Sequence, residues 1–370
     1  MKCNICESVV SRRIFHKSET EIWTNSDDFR DHKNVKYPCE LLQCNTCGHI
    51  LQPFTKRLGE ILDDVYTSEQ HALSTLPGIG NWGTTMGKGM LVYLDKLNLK
   101  DVRSACEIGC GNDFYLKYLK ETGVETLVGV EPSFRADHTK DGIHFKAGYA
   151  DSQMQLNERF DLIYAMNVLE HVYDLNEIFQ FVNSHIYEKG KLFFCVPNCK
   201  AQLESGDPAL FIHEHINYFT DEILHELLVR KGFENIEILS TLDTYFVSAV
   251  YNNGSGKYKV MNIPQFDYTR KLDQNLTIIR SKCEGKKVAF HGVCNSLNNI
   301  LGWVELDNDF ILIDNDITKI GKTFFAKIVR QPDKDILNEI DLVFILPRAY
   351  IDAISHQYKE LGYTGEIVKL

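Results

Sequence analysis

Four cysteines near the start of the chain stand in two pairs, Cys3-x2-Cys6 and Cys44-x2-Cys47. The two-residue spacing lets one tight turn point two sulfurs at a single ion, and two such turns furnish the tetrahedral thiolate set that zinc takes. Gly48, directly after Cys47, suits the positive φ that such turns need. Four thiolates fill the coordination sphere and leave no place for water, so Cys3, Cys6, Cys44 and Cys47 are read as a structural zinc site rather than a catalytic one. The competing readings are four unrelated cysteines or a redox pair, but a redox motif needs only one pair in a thioredoxin-like setting. Cys39 is a further candidate, read as a strand residue.

A second constellation is the glycine turn in Cys106-Glu107-Ile108-Gly109-Cys110-Gly111-Asn112-Asp113-Phe114. A strand, a turn without side chains and a helix start follow one another, so a ligand can approach the backbone and meet unpaired N–H groups. Glu131, at the end of the next strand in Val128-Gly129-Val130-Glu131-Pro132, is placed to accept hydrogen bonds from both hydroxyls of a ribose; alone it reads equally as a solvated strand-end carboxylate. The third glycine of a dinucleotide fingerprint is replaced by Phe114, which disfavours a pyrophosphate and favours S-adenosylmethionine (SAM).

The third constellation is histidine. His171 lies just beyond the fourth strand of the predicted sheet, and His213-Glu214-His215 lies in a long insert after the fifth. Both places overhang the carboxyl edge, where ligands sit in open α/β sheets. Imidazole there suits general-base work near neutral pH. The plainer readings are a helix cap for His171 and a solvent-facing ring for His213. Tyr218 and Phe219 read as a hydrophobic staple ahead of a helix capped by Thr220, with Asp221 and Glu222 in its first turn.

These groups need a frame. An amphipathic helix begins near Gly83, and strands are predicted at 104–108, 125–130, 143–146, 160–166, 190–196, 235–240 and 244–251, with helical patterns between most of them. Such alternation predicts a mainly parallel sheet covered on both faces, ending in an antiparallel hairpin. Asn252-Asn253-Gly254-Ser255-Gly256 reads as a turn and boundary. A second alternating series, Lys287–Phe290, Phe310–Ile313, Leu342–Leu346 and Glu366–Lys369, predicts a smaller Rossmann-like unit of four strands. Its turn Phe290-His291-Gly292-Val293-Cys294-Asn295-Ser296 either offers N–H groups to a phosphate or is purely structural. The expected fold class is therefore α/β with three domains: a zinc domain over 1–65, a SAM-binding domain over 66–255 and a Rossmann-like domain over 256–370.

The 370 residues exceed one ordinary core, and 44% hydrophobic with 25% charged residues is a normal globular balance. A formal charge of -11 argues against nucleic acid as a partner. No stretch approaches the length needed to span a bilayer, and Met1-Lys2-Cys3 does not open a signal peptide, so a cytoplasmic location with reduced thiols is expected.

Glu107–Gly111, Glu131-Pro132-Ser133, Asn167-Val168-Leu169-Glu170-His171-Val172, His213-Glu214-His215-x-x-Tyr218-Phe219-Thr220 and Tyr37-Pro38-Cys39-Glu40-Leu41-x-x-Cys44-x-x-Cys47-Gly48 resemble class I SAM-dependent methyltransferases, specifically the three-domain, zinc-containing sugar C-methyltransferases. Asp314-Asn315-Asp316-x-x-Lys319-x-Gly321-Lys322 fits the same family, so the resemblance covers the whole chain. It implies that Glu107, Gly109, Gly111, Glu131, Pro132 and Asn167 bind SAM. It also implies that His215 is the base that removes the proton alpha to the keto group of a nucleotide-linked sugar. Glu214 would be its neighbouring carboxylate, His171 would lie near the developing oxyanion, and Tyr66 would approach the methyl group from the interdomain linker. The chain departs from the family at Ile212, where a tyrosine is usual, and Tyr218 is the candidate to compensate. The C-terminal turn is also poorer in glycine than the family's. A small-molecule acceptor, probed first as a nucleotide-linked keto-deoxysugar methylated at carbon, is the leading expectation. An O-methyltransferase acting on a glycan or secondary-metabolite precursor, and a non-catalytic SAM-binding protein, are the alternatives.

Overall fold

The computed structural model describes residues 1–22, 35–67, 76–254, 263–306 and 309–369. The boundary drawn at residues 255 and 256 lies outside them.

The N-terminal part is a sheet of β1 (Arg12–Glu21), β2 (Lys36–Gln43) and β3 (Ile50–Leu51), followed by the helix Lys56–Thr67. A second helix, Gly80–Leu94, leads into β4 (Ser104–Ile108), the helix Phe114–Glu121, β5 (Thr126–Glu131), β6 (His138–Lys140), β7 (Ile143–Ala147) and β8 (Phe160–Met166). Then come the helix Leu175–His185, β9 (Ile186–Pro197), the short helix Cys199–Ser205, β10 (Asn217–Tyr218), the helix Asp221–Arg230, β11 (Phe233–Ser240) and β12 (Thr244–Tyr251). The central sheet runs β11-β12-β9-β8-β4-β5-β7-β6. Its pairs from β9 through β7 are parallel, and β6, β11 and β12 join antiparallel. All five residues of β4 are buried, as a strand covered on both faces requires. The chain leaves β4 to opposite sides for β5 and β8, which makes the loop after β4 the switch point of the sheet, where a crevice opens.

The helix Tyr268–Cys283 connects to a six-stranded sheet built from β13 (Val288–His291), β14 (Phe310–Ile313), β15 (Thr323–Phe324), β16 (Lys327–Arg330), β17 (Leu342–Ile345) and β18 (Glu366–Lys369). Its order is β15-β16-β14-β13-β17-β18. Four of these strands coincide with the predicted ones. The β15–β16 hairpin does not, because strands of two and four residues with a half-exposed pattern show neither an apolar run nor a full alternation. β1 likewise is not among the predicted strands, since its buried positions Ile14, Phe15 and Thr20 are too irregularly spaced to announce one.

The N-terminal sheet is completed from outside its own segment. Its order is β1-β2-β3-β10, and β10 pairs antiparallel with β3 through Asn217 and Leu51 and through Tyr218 and Ile50. One apolar cluster joins β1, the 199–218 insert, the connector helix and the C-terminal sheet. At its centre Phe15 meets Phe211, Tyr268 and Trp303 with ring centroids 5.5, 5.3 and 5.6 Å away. Each such buried aromatic contributes roughly 2–3 kcal/mol by removal from water. Among the described residues no helix is long and apolar enough to cross a membrane.

Candidate active site and thiolate cluster

The glycine turn follows from the backbone geometry at the switch point. Gly109 has φ +68° and Gly111 φ +56°, which L side chains avoid. A Cβ on Gly109 would stand 2.6 Å from Val168 Cγ2, and one on Gly111 would stand 2.5 Å from Leu76 Cδ2. The Glu131 carboxylate, buried at the end of β5, accepts from the backbone N–H groups of Gly111 at 2.9 Å and Ser133 at 3.0 Å. Pro132 lies between the two. Asn167, at φ +56°, ends β8 opposite this turn, and its N–H donates to Cys195 O at 3.1 Å. Glu107 is 1% exposed and accepts from Tyr164 Oη at 2.9 Å; burial pushes its carboxyl well above the ordinary range. A carboxyl in such a place fits a ligand that carries positive charge. SAM, with a ribose, a sulfonium and an ammonium group, matches the strand-end carboxylate, the side-chain-free turn and Glu107 together.

Phe114 explains its own presence. Its ring packs where a Cβ on Gly78 or Gly87 would come within 2.9 or 3.1 Å, so it seats the 76–94 segment over the turn. Asn112 reinforces this, donating to Pro77 O at 3.0 Å while accepting from Phe114 N at 3.0 Å.

Tyr66, His171, Glu214 and His215 come together from three segments. Tyr66 is on the helix Lys56–Thr67, His171 in the turn after β8, and Glu214 and His215 in the insert before β10. Tyr66 Oη lies 2.9 Å from His171 Nδ1, and the Glu214 main-chain oxygen lies 3.0 Å from the same nitrogen. A carbonyl only accepts, so Nδ1 carries the proton and Nε2 is the unprotonated side of the His171 ring. His215 meets this ring edge-on, centroids 4.8 Å apart at 85°. Burial, with His171 beside it, holds the His215 imidazole well below its usual pKa, in the neutral form that can accept a proton. Burial pushes the Glu214 carboxyl up to about 8, and its Oε1 has no hydrogen-bond partner among the described residues. Tyr66 is also raised, first by burial and then by Glu214 and Glu170.

Several expectations require correction. His213 does not face solvent: its ring is 1% exposed, with Nε2 3.1 Å from Tyr37 O in the N-terminal sheet, and burial lowers its pKa to about 4. His171 is not a helix cap, since Asp174 caps Leu175–His185 by accepting from Asn176 N at 2.8 Å. Thr220 occupies the N-cap position of Asp221–Arg230, yet its hydroxyl makes no capping bond. Tyr218 does not replace the tyrosine missing at 212, because its hydroxyl is engaged by the main chain of Ile212, accepting from N at 3.2 Å and donating to O at 3.1 Å.

Two residues not singled out beforehand organise the cluster. Glu170 is 1% exposed, and its main-chain oxygen accepts from Ile216 N at 2.7 Å and Asn217 N at 2.9 Å, fastening the insert to the turn after β8. Asn217 is fully buried; its Nδ2 donates to Leu169 O at 3.0 Å and Val172 O at 2.6 Å, and its Oδ1 accepts from His49 Nε2 at 3.1 Å and Asn4 Nδ2 at 3.2 Å. The sequence signal was an amide inside the apolar run Ile216-Asn217-Tyr218-Phe219.

The four cysteines form a compact group. Cys3 and Cys47 sulfurs are 3.5 Å apart and those of Cys6 and Cys44 are 3.4 Å apart, far beyond a disulfide bond. All four lie within 4.8 Å of one another, and thiolates bound to zinc at about 2.3 Å stand roughly 3.8 Å apart. The two knuckles repeat one geometry. Ile5 N and Thr46 N point at Cys3 and Cys44 sulfurs at 3.5 and 3.4 Å, while Glu7 N and Gly48 N donate to the carbonyls of the same cysteines at 3.0 and 2.9 Å. Gly48 takes φ +79° and Glu7 takes φ +60°. Sharing of S–H groups drives Cys44 down and Cys3 up. The donors fit zinc.

Residues 86–238 match the family model described as a methyltransferase domain. The chain is 23% identical over 268 residues to the tRNA U34 carboxymethyltransferase of Campylobacter hominis, covering 66% of this chain and 84% of that protein. It is 29% identical over 161 residues to the tRNA U34 carboxymethyltransferase of Helicobacter pylori, covering 40% of this chain and 61% of that protein, less than two thirds of its length. Among solved structures it is similar to an S-adenosylmethionine dependent methyltransferase from Mesorhizobium loti, with TM-score 0.36 and 17% identity over 45% of this chain and 98% of that one. The central Rossmann-like unit is a SAM-dependent methyltransferase domain.

Proposed function

Proceeding from a SAM-dependent methyltransferase domain, we propose that this chain methylates carbon in a nucleotide-linked keto-deoxysugar, with His215 removing the proton alpha to the keto group. The observation that carries this reading is the convergence of Tyr66, His171, Glu214 and His215 from three segments on the turn after β8, whose Val168 packs against Gly109. SAM, when bound, supplies an electrophilic methyl group. Glu107, Gly109, Gly111, Glu131, Pro132 and Asn167 would hold it. His215, neutral through burial, takes the proton; the Tyr66 hydroxyl is the donor for the oxygen on which charge develops, and His171, its Nδ1–H held by the Glu214 carbonyl, positions that hydroxyl from 2.9 Å. The four cysteines hold a structural zinc that orders the N-terminal sheet. This reading keeps a three-domain division near 1–65, 66–255 and 256–370, with the first boundary moved past the helix Lys56–Thr67 that it would cut and with β10 lent to the N-terminal sheet by the central segment. A formal charge of -11 favours a small acceptor over RNA.

Ile212 supports a second reading, O-methylation, because it has no hydroxyl and Tyr218 is engaged elsewhere. The two readings separate in one experiment. With methyl-labelled SAM and a panel of keto-sugar nucleotides, mass spectrometry and NMR should show one methyl gained at carbon. In deuterated water without SAM, the alpha proton should exchange. His215→Ala should abolish both while SAM still binds. Label found on oxygen, or exchange at the native rate in His215→Ala, would overturn the first reading.

A further inference from the structure

Glu170, His171 and His215 each present one ligand atom within 4.8 Å of the others. We propose that these three residues form a second metal site, separate from the thiolates, which takes a divalent transition ion such as zinc or cobalt reversibly and thereby inhibits the enzyme.

Glu170 is 1% exposed, and its Oε2 has no hydrogen-bond partner among the described residues. A buried carboxyl oxygen left in this way is costly unless something binds it. Glu170 Oε1 lies 3.9 Å from His171 Nε2. Nitrogen and oxygen atoms held at about 2.0–2.1 Å by one tetrahedral ion stand roughly 3.4 Å apart, so a small contraction seats the ion between them. His171 is already turned as a metal ligand must be, with Nδ1 tied to the Glu214 carbonyl at 3.0 Å and Nε2 toward Glu170. Metal-bound histidines characteristically give their second N–H to such a carbonyl. The His171 side chain keeps 22% exposure, which provides an entry path. Two imidazoles and one carboxylate select zinc, cobalt or a similar ion over magnesium or calcium, and three protein ligands leave room for water. The site differs from the cysteine cluster in donor chemistry, in openness and in reversibility.

The inhibitory half rests on the proposed role of His215: an imidazole whose lone pair is on a metal cannot take a proton. The binding half does not depend on that role. Full-length protein with its thiolate cluster filled by zinc is titrated with cobalt(II). One further equivalent should bind with the visible d–d bands of nitrogen and oxygen ligation and without sulfur-to-cobalt charge transfer. The near-isosteric Glu170→Gln and the separate His171→Ala should each lose that equivalent while keeping native circular dichroism. Added zinc should lower methyl transfer about a hundredfold, the lower range of a general base's contribution, and a mild chelator should restore it. Absence of the extra cobalt, or its retention in both variants, overturns the site. Bound cobalt with unchanged turnover overturns the inhibition. A protein that transfers no methyl group to any acceptor defeats the functional reading instead, with the cobalt spectrum still deciding the site.

Discussion

Replacing Asn217 by alanine tests whether the cysteine knuckles, the insert and the His171 turn form one unit. The amide gives two hydrogen bonds, to Leu169 O and Val172 O, and accepts two, from His49 Nε2 and Asn4 Nδ2. Asn4 also donates to Tyr173 O and so keeps a partner. Leu169 O likewise keeps the N–H of Val172, so the substitution strands two groups: the Val172 carbonyl and the His49 N–H. At about 1–3 kcal/mol for each stranded group the loss is about 2–4 kcal/mol, toward the lower end of the sum because the two share one side chain and relax together. That is a large part of the ~5–15 kcal/mol by which domains are stable. Urea unfolding followed by circular dichroism measures it. Asn217→Leu, similar in size, should be no better than alanine, because the Val172 carbonyl and the His49 N–H stay unpaired. Methyl transfer should also fall through kcat, since residues 169–172 carry His171, with SAM affinity little changed. A loss below about 1 kcal/mol in Asn217→Ala would refute the idea that this buried amide holds the three parts together.

Gly111→Ala forces a Cβ to 2.5 Å from Leu76 Cδ2 at φ +56°. With roughly 1–2 kcal/mol of left-handed strain, SAM affinity by calorimetry should weaken about tenfold, and an unchanged Kd would remove this turn as the cofactor seat. Metal analysis of untreated protein should give stoichiometric zinc; Cys44→Ser should lose it and lower the melting temperature, whereas substoichiometric zinc in the native protein would exclude the structural site. His291, 1% exposed, has its pKa lowered by burial from 6.5 to about 4. Its folded-state value is depressed, so its contribution is complete above pH 6.5 and is lost as pH falls toward 4. The change is on the order of 3 kcal/mol. His291→Gln should flatten the fall in urea stability between these pH values, and an unchanged slope would show that His291 is not the group responsible.

The parallel strands around the glycine turn were legible because buried strands are continuous apolar runs and the turn between strand and helix requires glycine. The cysteine knuckles were legible because spacing alone positions their sulfurs. Glu7 was not, because nothing in its identity announces that it takes the same positive φ as Gly48. The histidines could be assigned to the carboxyl edge, but which of them point inward depends on tertiary partners. His213, read as possible solvent-facing, turns into the N-terminal sheet, while His215, two residues on, meets His171. Glu170 and Asn217 escaped notice because their importance lies in contacts between segments far apart in sequence, which no local period encodes.

The origin of β10 bears on the order in which this chain is made. β3 pairs with β2 on one side, but its other edge is covered only when Asn217 and Tyr218 arrive, long after Ile50 and Leu51 have been synthesised. Until then the two-residue edge of β3 is an open template for foreign strands. The N-terminal sheet therefore waits on the central sheet during synthesis, and a fragment ending at residue 65 would carry that open edge permanently. Closing so distant a pair slows folding, and the cysteine knuckles, which bring residues 3–6 to 44–47, give the waiting strands a more local closure.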